Sequence, residues 1–166
     1  MRSPSFAAAA RDHLDAVYRY LLTMTKDAAV AEDLTSETFE RALRRWHRYD
    51  PRRAGEKTWL LMLARSAALD HFRAEARRHR REDRFATEHD AEQAEIQVDL
   101  GLSPALEAAL AELSAAEREV IALRVLVELD GDTAAGVLGI SRTSCSTRLS
   151  RALRKLEERV SAHVAV

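Results

Sequence analysis

Between Asp132 and Leu156 the chain reads DTAAGVLGISRTSCSTRLSRALRKL. Its Arg142, Arg148 and Arg151 carry the planar guanidinium fork that binds phosphate oxygens and guanine edges. Such contacts need the arginines on one rigid element that fits a DNA groove. Two helical stretches separated by Gly139-Ile140-Ser141 provide that element as a helix-turn-helix, whose second helix enters the major groove. Gly139 reaches positive φ without steric cost. Ser141 is placed to cap the second helix by accepting an orphan backbone N–H. On this segment alone, an ordinary helical hairpin with a solvated basic face is the competing reading.

Two further charged groups share a helix face or end. Asp33, Glu37 and Glu40 are spaced by four and three residues, so they line one side of a helix. They suit a basic partner surface, although a solvated acidic stripe has the same spacing. Arg73, Arg77, Arg78, Arg80, Arg81 and Arg84 follow an apolar helical stripe made by Trp59, Leu60, Leu63, Ala64 and Ala67. Cationic charge confined to one end of such a helix points to nucleic acid. Trp59 starts the apolar stripe and is read as core.

The chain that must position these groups has 166 residues, 32% of them charged and 5% aromatic, with five glycines and three prolines. Ala, Leu, Arg and Glu dominate, all good helix formers, and no segment alternates with the period of a half-buried strand. The expected fold class is all-α. Cys145 is the single cysteine, which excludes an intrachain disulfide and argues against a thiolate metal site. It is read as a small buried hydrophobe, with a redox thiol as the alternative. The six histidines have no metal-ligand spacing. With no catalytic triad, P-loop or metal motif, neither enzymatic activity nor a cofactor is expected. The first residues lack the order of a signal peptide, and the longest apolar run, residues 59–64, is too short to cross a membrane. A soluble, cytoplasmic protein without membrane insertion is expected.

The net charge of −1 hides an asymmetry. Residues 1–85 carry 18 basic against 13 acidic side chains, residues 86–112 none against seven, and residues 113–166 eight against seven. A basic module, an acidic strip and a near-neutral module follow one another. In the first module, Leu14, Val17, Tyr18, Leu21 and Met24 recur at helical spacing. Asp27 caps a second helix carrying Ala31, Leu34, Thr38, Ala42 and Trp46, which Tyr49-Asp50-Pro51 ends. A polar loop, Arg52–Lys57, precedes a long helix from Thr58. In the last module Ser103-Pro104 starts a helix, Ser114 and Glu117 form a capping box, and Val120, Ile121, Leu123, Leu126 and Leu129 supply a core face. Gly136, inside the first helix of the helix-turn-helix, costs about 1 kcal/mol relative to Ala. A close helix crossing there is the expected reason for it. The expected domains are 1–81, an acidic linker over 82–102, and 103–166.

In this order the segments AEDLTSETFERALRRW (31–46), KTWLLMLARSAALDHFR (57–73), LSAAEREVIALR (113–124) and LGISRTSCSTRLSRALRKL (138–156) resemble the bacterial RNA polymerase sigma factors. The likeness is to the small two-domain extracytoplasmic-function (ECF) group, and it covers about residues 10–160. It implies a region 2 type bundle and a region 4 type helix-turn-helix bundle joined by a flexible acidic linker. It implies a dissociable subunit that gives core RNA polymerase its promoter choice. Asp33, Leu34, Glu37 and Glu40 would then contact the polymerase. Arg53, Lys57, Thr58, Arg73, Arg77 and Arg78 would contact and melt the −10 element. Arg142, Ser146, Thr147, Arg148 and Arg151 would read the −35 element. The family usually has Gly-Thr-Val-Lys-Ser-Arg-Leu where this chain has residues 143–149. Ser146 therefore stands in place of a common Lys or Arg, and Cys145 in place of a packing Val. Members often carry Gln at the position of Ser36 and Asn at that of Ser66. The resemblance also implies an anti-sigma factor as a further partner.

Distance arithmetic constrains the linker. Elements about 17 base pairs apart, at 3.4 Å per pair, are separated by roughly 58 Å. A free 21-residue chain spans about 25 Å on average and roughly 70 Å when extended, so bridging requires the linker to be drawn out along the polymerase. The alternatives are a stand-alone helix-turn-helix regulator, which leaves the basic melting helix unexplained, and a helical adaptor that binds only proteins.

Overall fold

The computed structural model describes residues 5–84 and 100–164. Residues 85–99, most of the expected linker, lie outside them. Among the described residues every regular element is helical. The first bundle is α1 (Phe6–Thr25), α2 (Ala28–Arg45) and α3 (Glu56–Asp83). The second is α4 (Pro104–Ala111), α5 (Ala115–Ile121), α6 (Gly131–Leu138) and α7 (Arg142–Val164), with a π turn over Ala122–Leu126 after α5.

Local chemistry sets the helix ends. Lys26 closes α1 in the left-handed region (φ 55°), and its N–H donates to the Leu22 carbonyl. Asp27 then caps α2, its carboxylate accepting from the Val30 N–H at 3.1 Å. Ser103 caps α4, and Ser114 with Glu117 forms the reciprocal capping box of α5. Two boundaries differ from expectation. The α-helical part of α2 stops at Arg45 and tightens into a 3-10 turn over Trp46–Arg48. α3 begins at Glu56, two residues early: Gly55 takes the cap position, and the Glu56 carboxylate favours the positive end of the helix dipole. Lys57 and Thr58 therefore sit on the first helical turn.

Val17, Leu21, Leu34, Leu60, Leu61 and Ala64 fill the first core; Val120, Ile121, Leu123, Leu138 and Ala152 fill the second. The buried positions of α3 end at Ala68, with Phe72 packed half-buried after them. The following stretch to Asp83 spans about 16 Å at 1.5 Å per residue and is almost wholly exposed. The two bundles meet along a seam where α1 packs on α5 and the π turn, and α3 on α6.

Gly136 is not at a close helix crossing: a Cβ there would meet nothing within 4 Å. The position is exposed and without positive φ. Gly136→Ala is accordingly expected to stabilise the protein by about 0.5–1 kcal/mol through helix propensity alone. Reversible denaturant unfolding would show the midpoint rise; an unchanged or lower midpoint would mean that the glycine has another role.

Candidate nucleic-acid and polymerase interfaces

α2 presents its acids outward because Ala31, Leu34, Thr35, Thr38 and Ala42 take the inward face. Asp33 and Glu40 are exposed and Glu37 half-buried. Leu34 is 5% exposed, a core residue that seats α2 and is not presented beside those acids. The three carboxylates differ in partners. Glu37 is paired with Arg41, which also reaches Asp70 at 3.3 Å. Glu40 pairs with Arg44 at 3.3 Å. Asp33 has no ion pair among the described residues.

Between α2 and α3 the chain makes a compact, internally bonded loop. The Arg52 N–H donates to the Asp50 carboxylate at 2.9 Å, and the Arg53 N–H to the Asp50 carbonyl at 3.0 Å. The Tyr49 hydroxyl donates to the Ala54 carbonyl at 3.1 Å. Behind the loop Trp46 stacks on Tyr49 with ring centres 4.9 Å apart, and Trp59 meets Trp46 edge-on at 5.7 Å. Phe6 closes the cluster against Trp46 at 5.4 Å. Burial, and after it the charges of Glu56 and Asp50, raise the Tyr49 hydroxyl above its ordinary value, so it remains a donor. Trp59 is half-buried on the core, as expected. The wider aromatic cluster escaped sequence reading, although Trp46 and Tyr49 at a spacing of three were its local signal.

Arg53 is exposed on this loop and Thr58 half-buried at the start of α3. Lys57 is diverted: its ammonium donates to the Val127 carbonyl of the second bundle. Arg73, Arg77 and Arg78 lie on the projecting part of α3, all exposed. Arg73 pairs with Asp70 at 3.5 Å, whereas Arg77 and Arg78 have no ion pair among the described residues.

In the second bundle Gly139 adopts φ 67° and the Ser144 N–H donates to the Ser141 hydroxyl at 3.1 Å, so the turn and cap are as expected. Cys145 is 1% exposed and packs in the core. Thr147, Arg148 and Arg151 join Thr143 and Ser144 in a shallow groove whose other wall is Ser114, Ala116 and Glu117 at the start of α5. The Lys155 ammonium and the Ser114 N–H hold the Glu117 carboxyl below its ordinary range. Its charge in this groove is thus matched by Lys155. Ser146 is exposed but does not line the groove, and Arg142 is paired with Asp132 at 3.0 Å.

Two helical bundles, the second ending in a capped helix-turn-helix with an arginine-lined groove, define a two-part transcription-initiation protein of the sigma-70 type. The family model for Sigma-70 region 2 matches residues 9–78, and that for Sigma-70 region 4 matches residues 103–156. The ECF RNA polymerase sigma factor SigM of Bacillus subtilis is 34% identical over 156 residues, covering 87% of this chain and 88% of the relative. The ECF sigma factor BldN of Streptomyces coelicolor is 34% identical over 147 residues, covering 86% of this chain and 55% of the longer relative. Two solved structures share the fold. The sigma factor RpoE from Bartonella quintana, in complex with the anti-sigma factor NepR, has TM-score 0.78 and 23% identity, covering 94% of this chain and 96% of the other. CnrH, in complex with the cytosolic domain of CnrY, has TM-score 0.70 and 22% identity, covering 95% and 88%. The chain belongs to the ECF RNA polymerase sigma factors. It directs transcription initiation through core RNA polymerase and is not itself an enzyme. No helix among the described residues is long and apolar enough to cross a membrane.

Proposed function

We propose that the first bundle docks on core polymerase through the acidic face of α2 and opens the −10 element with the loop before α3 and the arginines on its projecting end. The second bundle reads the −35 element through Thr147, Arg148 and Arg151. Residues 1–81 and 103–166 act as the two readers, and residues 82–102 join them. One observation carries this reading: Asp33 on α2, Arg77 and Arg78 on the far end of α3, and Arg148 and Arg151 in the α5–α7 groove have no ion pair among the described residues, so each of the three surfaces offers charge to a partner. Opening DNA costs a few kcal/mol for each base taken from the stack. A bonded loop backed by aromatic rings and flanked by cations can offset that cost. Ser146 contributes at most a weak polar contact where a cation is common in relatives.

Two further readings belong with this one: regulation by an anti-sigma factor, which the RpoE complex supports, and a cytoplasmic location, which follows from work on core polymerase. Run-off transcription with purified core polymerase tests the central reading. Added protein is expected to give promoter-specific transcripts and to co-elute with core. Operator binding without any core interaction would instead favour a stand-alone regulator.

A further inference from the structure

α5 turns a guanidinium into the protein interior. Every residue from Arg118 to Ile121 is buried, and Arg118 is 8% exposed. Its Nη1 donates to the Leu113 carbonyl, just before the helix. Its Nε is buried and has no hydrogen-bond partner among the described residues. Buried polar groups are nearly always hydrogen-bonded, and a buried charge is costly unless paired. Burial pulls the Arg118 guanidinium below its ordinary value, yet arginine does not shed its proton to escape that cost.

The charge beside it has the same sign. Lys26 closes α1 in the left-handed region at φ 55°, a position that Gly or Asn ordinarily takes. Lys26 is exposed, and its ammonium has no hydrogen bond or ion pair among the described residues. Partial burial, and after it the Arg118 guanidinium, hold that ammonium below its ordinary value. The carboxylates close by in sequence are engaged elsewhere. Asp27 caps α2 through the Val30 N–H. Glu112 holds Arg159 at 2.8 Å and His163 at 3.2 Å, and Glu117 holds Lys155. Glu119 accepts, through one oxygen, from the Tyr20 hydroxyl and the Arg65 Nε, each at 2.7 Å. Two cations thus stand together where α1 packs on α5.

A small oxyanion has the chemistry that this pair requires. With Nη1 directed to Leu113, the Nε edge of the guanidinium is the one turned to a ligand. That edge presents parallel N–H groups matched to two phosphate oxygens. A tetrahedral phosphate keeps a further oxygen for the Lys26 ammonium, whereas a carboxylate has no third oxygen to give. Lys26 is exposed and Arg118 nearly buried, so the approach is from the Lys26 side and admits only a small group. We propose that Lys26 and Arg118 form a binding site for a phosphate group, either the free ion or the phosphoryl end of a small metabolite. The site is separate from the acidic face of α2, the projecting end of α3 and the α5–α7 groove, and it stands whether or not the promoter reading does.

Inorganic phosphate titrated into the full chain, with ionic strength held constant by chloride, tests the site. The Arg118 Nε–H resonance is expected to shift saturably in nitrogen-15 spectra. The Lys26 ammonium is expected to rise back toward its ordinary value as the site fills, which a lysine serving only the helix end would not show. Lys26→Asn removes the ammonium and keeps a residue that tolerates left-handed φ. It is expected to weaken phosphate binding roughly 10- to 100-fold, as loss of one hydrogen bond between charged groups does. Arg118→Lys keeps the charge, loses the fork and is expected to weaken binding as well. Circular dichroism checks folding, and Lys26→Asn, at an exposed position, carries the test if Arg118→Lys unfolds. Glycerol 3-phosphate distinguishes the two sources: tighter binding than inorganic phosphate assigns the site to a metabolite, weaker binding to the free ion. Absence of a saturable shift with either at about 10 mM overturns the proposal. So does an equal shift with chloride alone, or unchanged phosphate affinity in folded Lys26→Asn.

Discussion

Replacing Arg148 and Arg151 together by alanine is expected to weaken promoter binding by about 2–6 kcal/mol, or roughly 30-fold to 10⁴-fold, if each makes one good base or phosphate contact. Both side chains line the groove between α5 and α7, and neither is held in an ion pair among the described residues. They thus reach DNA without first giving up a partner. Arg142 must release Asp132, 3.0 Å away, so Arg142→Ala should have the smaller effect. Filter binding of the holoenzyme to a transcript-mapped promoter at several salt concentrations separates the contacts. Loss of two phosphate contacts lowers the logarithmic salt slope by about 2, whereas loss of base contacts leaves the slope and relaxes preference within the −35 element. Equal affinity in the double variant would remove this groove from the interface.

The elements legible in the sequence were those whose causes are local. Asp27, Ser103, Ser114 and Ser141 cap helices through hydrogen bonds that span three residues, and Gly139 turns the chain through its own φ. The outward face of α2 was equally legible, because helical spacing alone puts Asp33 opposite the core. Leu34 falls inward with Ala31, Thr38 and Ala42, the apolar stripe on which its spacing placed it; only the family resemblance set it beside the polymerase contacts. The early start of α3 was missed because Glu56 and Lys57 resemble loop residues until the dipole and the Gly55 cap are considered. The seam was out of reach for another reason. Tyr20 and Glu119 are 99 residues apart and Arg65 and Glu119 are 54 apart. No period or motif relates such positions, and only the packed chain shows that a carboxylate beside Val120 and Ile121 is turned inward. For the same reason Lys57, which the family resemblance gave to the −10 element, is found donating to a carbonyl 70 residues away.

Asp33→Arg is expected to lower affinity for core polymerase by about 2–5 kcal/mol, or roughly 30-fold to several thousand-fold, while leaving stability within about 0.5 kcal/mol of the parent chain. The ranking of the three acids follows from their partners. Asp33 is exposed and has no ion pair among the described residues, so its whole charge is available to a basic surface. Glu37 shares its carboxylate with Arg41, and a reversal there also sets two cations one helical turn apart. Glu40 is already matched by Arg44, with both side chains more than 60% exposed. Such a pair is worth little in water and adds little net field, so Glu40→Arg should cost core binding the least. An arginine at position 33 lies one turn before Glu37, a spacing that supports an ion pair within the helix. Lost core affinity therefore cannot be blamed on a weakened α2. Competition between variant and parent chains for a limiting amount of core polymerase measures the difference directly. If Asp33→Arg competes as well as the parent, docking uses another face of the first bundle. If Glu40→Arg proves the most damaging, the Arg44 pair opens on docking and the ranking by free charge fails.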